Sequence, residues 1–345
     1  MCAGNTFHYN ICRIKRWEIS LFLEISCCER REGMVKYGFG VDIGGTTCKL
    51  GLFSLEGELL EKWEIPTDTA DGGVRILSDV ADAVEQKLKE RQIPRDEVLG
   101  IGLDAPGAIG EDGVVSQAVN LGWRQYPARD VLSQRMNMKV RICNDANAAA
   151  LGEQWKGGGA GCLDMVMVTL GTGVGGAVIA GGKVIGGAHG IAGEIGHMIV
   201  YAGETERCAC GRYGCLEQYA SASGLVRVTR CLLEKKNRRT ILSDTPELSA
   251  KQIIDAAKRG DELALDTLEI LGKTLGRALA ATAVVIDPER FVIGGGVSKA
   301  GEILLEITKK YYVQEVLTEG RETEFALAML GNDAGMYGSM RLLLE

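Results

Sequence analysis

Apolar residues gather in short runs between Tyr37 and Ile65, and glycines break these runs twice, at Gly44-Gly45-Thr46 and at Glu56-Gly57-Glu58. This pattern predicts three strands in a meander, with a tight glycine turn between the first two. The period then changes. Val74, Leu77, Val80, Ala81, Val84 and Leu88 recur at helical spacing and predict a helix over 73–91 with those residues on its buried face. A strand over 98–103 runs into Asp104-Ala105-Pro106-Gly107, and residues 127–136 read as a short helix. A strand over 139–143 delivers Asn144-Asp145-Ala146-Asn147. A helix running to Trp155 follows and is closed by Gly157-Gly158-Gly159.

The order then begins again. Residues 163–170 form an apolar strand, Gly171 to Gly176 a glycine turn, 177–180 a second strand, and 183–185 follow a further turn. Val168-Thr169-Leu170-Gly171 can be set over Val41-Asp42-Ile43-Gly44, which points to an internal duplication. Helices dominate the C-terminal part, where Leu268, Leu271, Leu275, Leu279 and Val285 predict one long buried face. A strand over 290–293 ends in Gly294-Gly295-Gly296. A helix over 302–316, a strand over 325–330 and a closing helix over 333–343 complete the pattern. Two β-rich α/β halves predict two similar lobes around a cleft. Glycine turns at Gly44, Gly171 and Gly294 all fall at strand ends, where bare backbone N–H groups can approach a phosphate.

Length supports this division, since 345 residues exceed one comfortable core. The lobes are expected at 34–157, with 331–345 packing back on the first, and at 158–330. Residues 1–33 carry no clean periodicity and read as a doubtful N-terminal extension ahead of Met34, or as a short interaction arm. A formal net charge of -7 argues against nucleic acid as partner, but an acidic chain can still bind ATP through backbone amides and Mg²⁺. No apolar run reaches membrane-spanning length. Eleven cysteines without an export signal read as cytoplasmic thiols plus a metal site.

That metal site is the densest chemistry in the chain. His197, Cys208, Cys210 and Cys215 lie within a short span, flanked by Glu194 and Glu217. Three thiolates and an imidazole suit tetrahedral Zn²⁺ in a structural role. A disulfide lacks an oxidising compartment, and an iron–sulfur cluster would want a fourth cysteine in place of His197. Gly211 and Gly214 allow the tight turn that aims Cys210 and Cys215 at one point.

Two other motifs fail on context. Gly171-x-Gly173-x-x-Gly176 matches a dinucleotide fingerprint, but it opens a strand and not a helix. Gly272-Lys273-Thr274 resembles the end of a phosphate loop, but Thr267 occupies the position of its first glycine. Asp145 reads either as the N-cap of the helix behind it or as a general base at a strand end. His189 reads as a loop histidine.

In order along the chain stand Asp42-Ile-Gly-Gly-Thr46, Asn120-Leu-Gly-Trp123, Asn144-Asp145-Ala-Asn147, Leu170-Gly-Thr-Gly173, Glu194-Ile-Gly-His197, Cys208-x-Cys210-Gly-x-x-Gly-Cys215-Leu-Glu217 and Gly294-Gly-Gly-Val-Ser298. From Met34 onward the chain resembles the ROK family, and most closely its sugar kinases. The resemblance implies a two-lobed actin-like (ribonuclease H-like) α/β fold that uses ATP and Mg²⁺ to phosphorylate a hexose 6-hydroxyl, with glucose favoured. It further implies Asp145 as the base and Asn120, Asn144, Asp145, Glu194, His197 and Glu217 as sugar ligands. Asp42 would hold Mg²⁺ through water. Gly44, Gly45, Thr46, Thr172 and Gly173 would line the phosphates, with Gly295 and Gly296 near the nucleoside. His197 would join zinc to sugar, and a homodimer is expected. The rivals are a kinase for another hexose such as N-acetylmannosamine or N-acetylglucosamine, a sugar-responsive DNA-binding repressor, and a non-catalytic sensor. The repressor lacks room for a helix-turn-helix module. Polyphosphate remains an alternative donor.

Overall fold

The computed structural model of the chain describes residues 35–235, 239–243, 245 and 247–345. The expectations for residues 1–33 and Met34 fall outside them. Strands β1 (Tyr37–Ile43), β2 (Thr47–Ser54) and β3 (Leu59–Pro66) form the meander. The other edge of β1 takes β4 (Val98–Ala105) in parallel. The chain then makes a hairpin of β5 (Val115–Ala118) and β6 (Trp123–Tyr126), which the pattern does not announce. Strand β7 (Val140–Asn144) joins β4, giving the order β3-β2-β1-β4-β7. The second sheet repeats this plan. Its strands are β8 (Met165–Leu170), β9 (Val174–Ala180), β10 (Lys183–Val184), β11 (Arg290–Gly294) and β12 (Glu324–Leu327), in the order β10-β9-β8-β11-β12. Each sheet is therefore an antiparallel meander extended by two parallel strands, the ribonuclease H-like plan, and the duplication is one of topology.

Helices α1 (Ile76–Arg91) and α2 (Ala128–Met136) close the first core over Phe39, Val41 and Leu103, all fully buried. Central strands covered on both faces read as continuous apolar runs, as β1 does. Helix α3 (Asp145–Lys156) follows β7. The second core is built by α4 (Glu217–Ala220), α5 (Ala222–Glu234), α6 (Ala250–Lys258), α7 (Glu262–Ile286) and α8 (Glu302–Glu315). Helix α9 (Ala334–Leu343) ends the chain and packs on α3, β1 and β4 of the first sheet. Among the described residues no helix is long and apolar enough to cross a membrane.

Several expected boundaries move for physical reasons. Helix α1 starts at Ile76, so Val74 lies in the preceding turn and is exposed. Val285 is exposed as well: it follows Leu279 by six residues, a rotation of about 240° that carries it off the buried stripe. Strand β9 begins at Val174 and not at Ala177, because Gly171 N–H closes the turn onto the Gly173 carbonyl at 3.0 Å. Strand β12 stops at Leu327 and not at Leu330, because past Ala328 the amides of Met329 and Leu330 donate to the side chain of Glu153.

Helices α3 and α9 meet backbone to backbone. A Cβ on Gly338 would lie 1.6 Å from the Ala148 carbonyl oxygen, and one on Gly152 would lie 2.2 Å from that of Ala334. Helix α9 also lies directly on β4, where a Cβ on Gly102 would come within 1.7 Å of the Ser339 oxygen. No flexible side chain can give way at these points, so Gly338→Ala should cost about 3 kcal/mol, the upper end for overpacked cores. Gly186→Ala, where an added Cβ meets nothing within 4 Å, should stay within about 0.5 kcal/mol. Urea denaturation of the two variants checks this, and equal losses would contradict it.

Candidate active site

The parallel strands of the first sheet end together. Asp42 on β1 sits opposite Asp104 on β4, and Ala105 sits opposite Asn144 on β7. Strand carboxyl ends are where α/β sheets present ligand-binding groups. Three aspartates therefore converge: Asp42, Asp104 and, one residue past β7, Asp145.

Asn144 caps α3. Its Oδ1 accepts from the N–H groups of Ala146 (2.9 Å) and Asn147 (3.3 Å). Asp145 is accordingly the first helical residue and not the cap. The Asn144 amide donates to the Gly107 carbonyl at 3.0 Å and to Asp145 Oδ1 at 2.8 Å, so its hydrogen-bonding capacity is engaged within the protein. Asp145 Oδ1 also accepts from the Ala146 N–H. These bonds leave Oδ2 unused, and Asp145 lines the cleft. Partial loss of hydration within the cleft raises its pKa and the charge of Asp42 adds to the rise, against the hydrogen bonds from Ala146 and Asn144.

Asp104 is fully buried and was noted in the sequence only as a strand end. Ser339 Oγ donates to its Oδ2 at 2.8 Å, and its Oδ1 has no partner. Burial, then the charge of Asp42, holds its carboxyl well above the usual carboxylate range. Lys49 is a second residue that the motifs passed over. It lies directly across from Asp42 in the β1–β2 register, with Nζ 3.2 Å from Asp42 Oδ2, and it donates to the Asn332 carbonyl at 3.0 Å. The glycine turn and strand alternation alone would place it there. The orphaned oxygen of Asp104 beside Asp42 and Lys49 makes a charged floor, which suits a phosphate–cation pair.

The second lobe supplies the opposite wall. One ligand atom from each of His197, Cys208, Cys210 and Cys215 lies within 4.8 Å of the others. Cys210 and Cys215 sulfurs are 3.6 Å apart, and Cys208 sulfur is 3.9 Å from His197 Nδ1. Tetrahedral zinc with bonds of about 2.3 Å needs ligand separations of about 3.8 Å, so this donor set fits that ion. The Arg212 backbone N–H is the first cause that lowers the Cys210 thiol to about 6, while burial pushes Cys215 up to about 12. Gly214 adopts φ +73, and a Cβ there would lie 1.9 Å from the Tyr201 carbonyl oxygen.

Glu217 ties this loop to the glycine turn. Its Oε2 accepts from the Val174 N–H at 3.1 Å, and the Cys208 thiol approaches Oε1 at 3.5 Å. A cleft of about 1120 Å³ brings Asp145, Asn144, Glu194 and His197 together, with His189 on its rim. A smaller cavity of about 340 Å³ joins Glu194, His197 and Glu217 to Gly173 and Gly295. Asp42, Gly44, Gly45, Thr46, Asn120, Thr172 and Gly296 line neither cavity. Asn120 instead lies against Gly45.

The family model of the ROK family matches residues 38–345. A glucokinase of Halalkalibacterium halodurans is 44% identical over 304 residues, covering 87% of this chain and 92% of that protein. A glucokinase of Thermotoga maritima is 36% identical over 312 residues, with 89% and 96% covered. Among solved structures, a ROK family glucokinase from Streptomyces griseus in complex with glucose and AMPPNP is 35% identical. It superposes with a TM-score of 0.68 over 89% of this chain and 98% of that one. Its two ribonuclease H-like lobes, its zinc-type donor set and these likenesses make the chain a member of the ROK family, with the two-lobed actin-like fold of that family's sugar kinases.

Proposed function

We propose that this protein phosphorylates glucose on its 6-hydroxyl with ATP as donor. The observation that carries the reading is Asp145: open to the cleft that also holds Glu194 and His197, raised in pKa, and held by Asn144 through one oxygen. The likeness to glucokinases over most of the chain supports glucose in particular.

Asp145 takes the proton of the hydroxyl as its oxygen bonds to the γ-phosphorus, and the bond to the leaving ADP oxygen breaks with its electron pair. Phosphoryl transfer asks mainly for positioning and charge neutralisation. Glu194, His197 and Glu217 bind the remaining sugar hydroxyls, Asn144 orients the base, and Asn120, which lies against Gly45 outside both cavities, is assigned to the sugar from the family resemblance. The turns Gly44-Gly45-Thr46, whose Gly44 N–H closes onto the Thr47 carbonyl, and Thr172-Gly173 line the phosphates, with Gly295 and Gly296 toward the nucleoside. Asp42 would hold Mg²⁺, which when bound would supply charge neutralisation at the phosphates. His197, Cys208, Cys210 and Cys215 would hold Zn²⁺, which when bound would supply rigidity to the sugar-binding loop.

The lobes divide at 34–157 with 331–345, and at 158–330. The cysteines described are free, which supports the cytoplasm as compartment. The family resemblance supports a homodimer.

Asp145→Asn should lower turnover about 10²–10⁴-fold while glucose binding is kept. A proton acceptor must be ionised, so the wild-type rate should fall as pH drops through a midpoint above the ordinary carboxylate range, and that acid limb should vanish in the variant. A folded variant with near-normal turnover would remove Asp145 from this role. Cys210→Ser should lower both zinc content, measured by elemental analysis, and glucose affinity, measured by calorimetry. Full affinity in a zinc-free protein would contradict the coupling of metal loop and sugar site.

A further inference from the structure

Glu153 is fully buried, lies in the last turn of α3, and takes no part in the cleft. A carboxylate there is costly twice over. It loses its hydration, and it sits at the end of a helix whose own carbonyls already carry negative charge. What compensates it is backbone. Oε2 accepts from the N–H of Gly158 at 2.8 Å and of Met329 at 2.9 Å, and Oε1 accepts from the N–H of Leu330 at 2.7 Å.

These donors come from the two places where the chain passes between the sheets. Gly158 belongs to the passage from α3 to β8, and Met329 and Leu330 belong to the passage from β12 to α9. The passages touch, since a Cβ on Gly158 would lie 2.3 Å from the Leu327 carbonyl oxygen. Each is also fastened to one sheet. Arg290 on β11 donates to the Gly158 carbonyl at 3.0 Å, and Lys49 on β2 donates to that of Asn332 at 3.0 Å. The glycine run behind α3 is shaped to this carboxylate: a Cβ on Gly157 would fall 1.9 Å from Glu153 Oε2. One side chain thus holds both crossings, and eight residues along the same helix, about 12 Å away, stands Asp145.

We propose that Glu153 is the clasp about which the two lobes close, a positioning residue that sets where α3 presents Asp145 to the hexose. The proposal rests on the kinase reading above for what is positioned, while the clasp itself is read from the crossings. Glu153→Gln keeps the shape but sets an N–H₂ group against at least one backbone donor, so at least one of the three bonds is lost and the clasp is weakened.

The variant should bind glucose within about twofold of wild type yet lose about tenfold or more in kcat, because a base displaced by a fraction of an ångström loses its alignment. Small-angle X-ray scattering should show the glucose-induced contraction of the wild type reduced in the variant. An unchanged kcat overturns the proposal, and so does a lower kcat with the contraction intact. If the variant fails to fold, amide exchange on the wild-type protein decides. The Gly158, Met329 and Leu330 amides should be as protected as the interior of α3, with and without glucose, and exchange at exposed-loop rates overturns the clasp. A wild-type protein that contracts on glucose but transfers no phosphate would count against the kinase reading alone.

Discussion

Gly338 meets Ala148, and Gly152 meets Ala334, with no side chain between the two helices. This contact of α3 with α9 is the constraint on which the rest of the molecule depends. Helix α3 follows the last strand of the first sheet and packs against β9 of the second, while α9 returns the end of the chain to the first sheet. Because interiors are close-packed and transmit strain, a shift of either helix moves both. Asp145 sits at the start of α3, and Glu153 near its other end gathers the two crossings. The fold's closest packing, the two crossings and the proposed base therefore share one short helix.

The electrostatics follow from the same geometry. Parallel strands that end together bring Asp42, Asp104 and Asp145 into mutual influence, and burial compounds the repulsion. Lys49 relieves part of it at Asp42, and Ser339 relieves part of it at Asp104. Such crowding of carboxyl groups is a standing cost to the fold. It is also what a site needs if it is to hold a cation beside a phosphate and keep a carboxylate ready to take a proton. On the other wall, Glu217 couples the metal-type loop to the glycine turn of the second sheet, so both are held by one carboxylate.

Much of this was legible in the sequence because it is local. The meander around Gly44, its repeat around Gly171 and the His197–Cys215 donor set are spacings along the chain, and the structure forms each of them. What was not legible depends on distant contacts. Val285 belonged to an apolar run but rotates away from the core. The strand expected to reach Leu330 stops at Leu327 because Glu153, far earlier in the chain, takes the amides that follow. Asp104 looked like an ordinary strand end until the register set it beside Asp42. Of the two readings open for Asp145, the cap falls to Asn144 instead, since both residue types cap helices and only geometry distinguishes them.

The central claim is that this cleft transfers phosphate from ATP to glucose. Its most direct test is a coupled assay of the purified protein with ATP and Mg²⁺, comparing glucose with mannose, fructose, N-acetylmannosamine and N-acetylglucosamine. The account predicts ATP-dependent turnover with a strong preference for glucose. Preference for an N-acetyl sugar, or no turnover with any hexose, would contradict it.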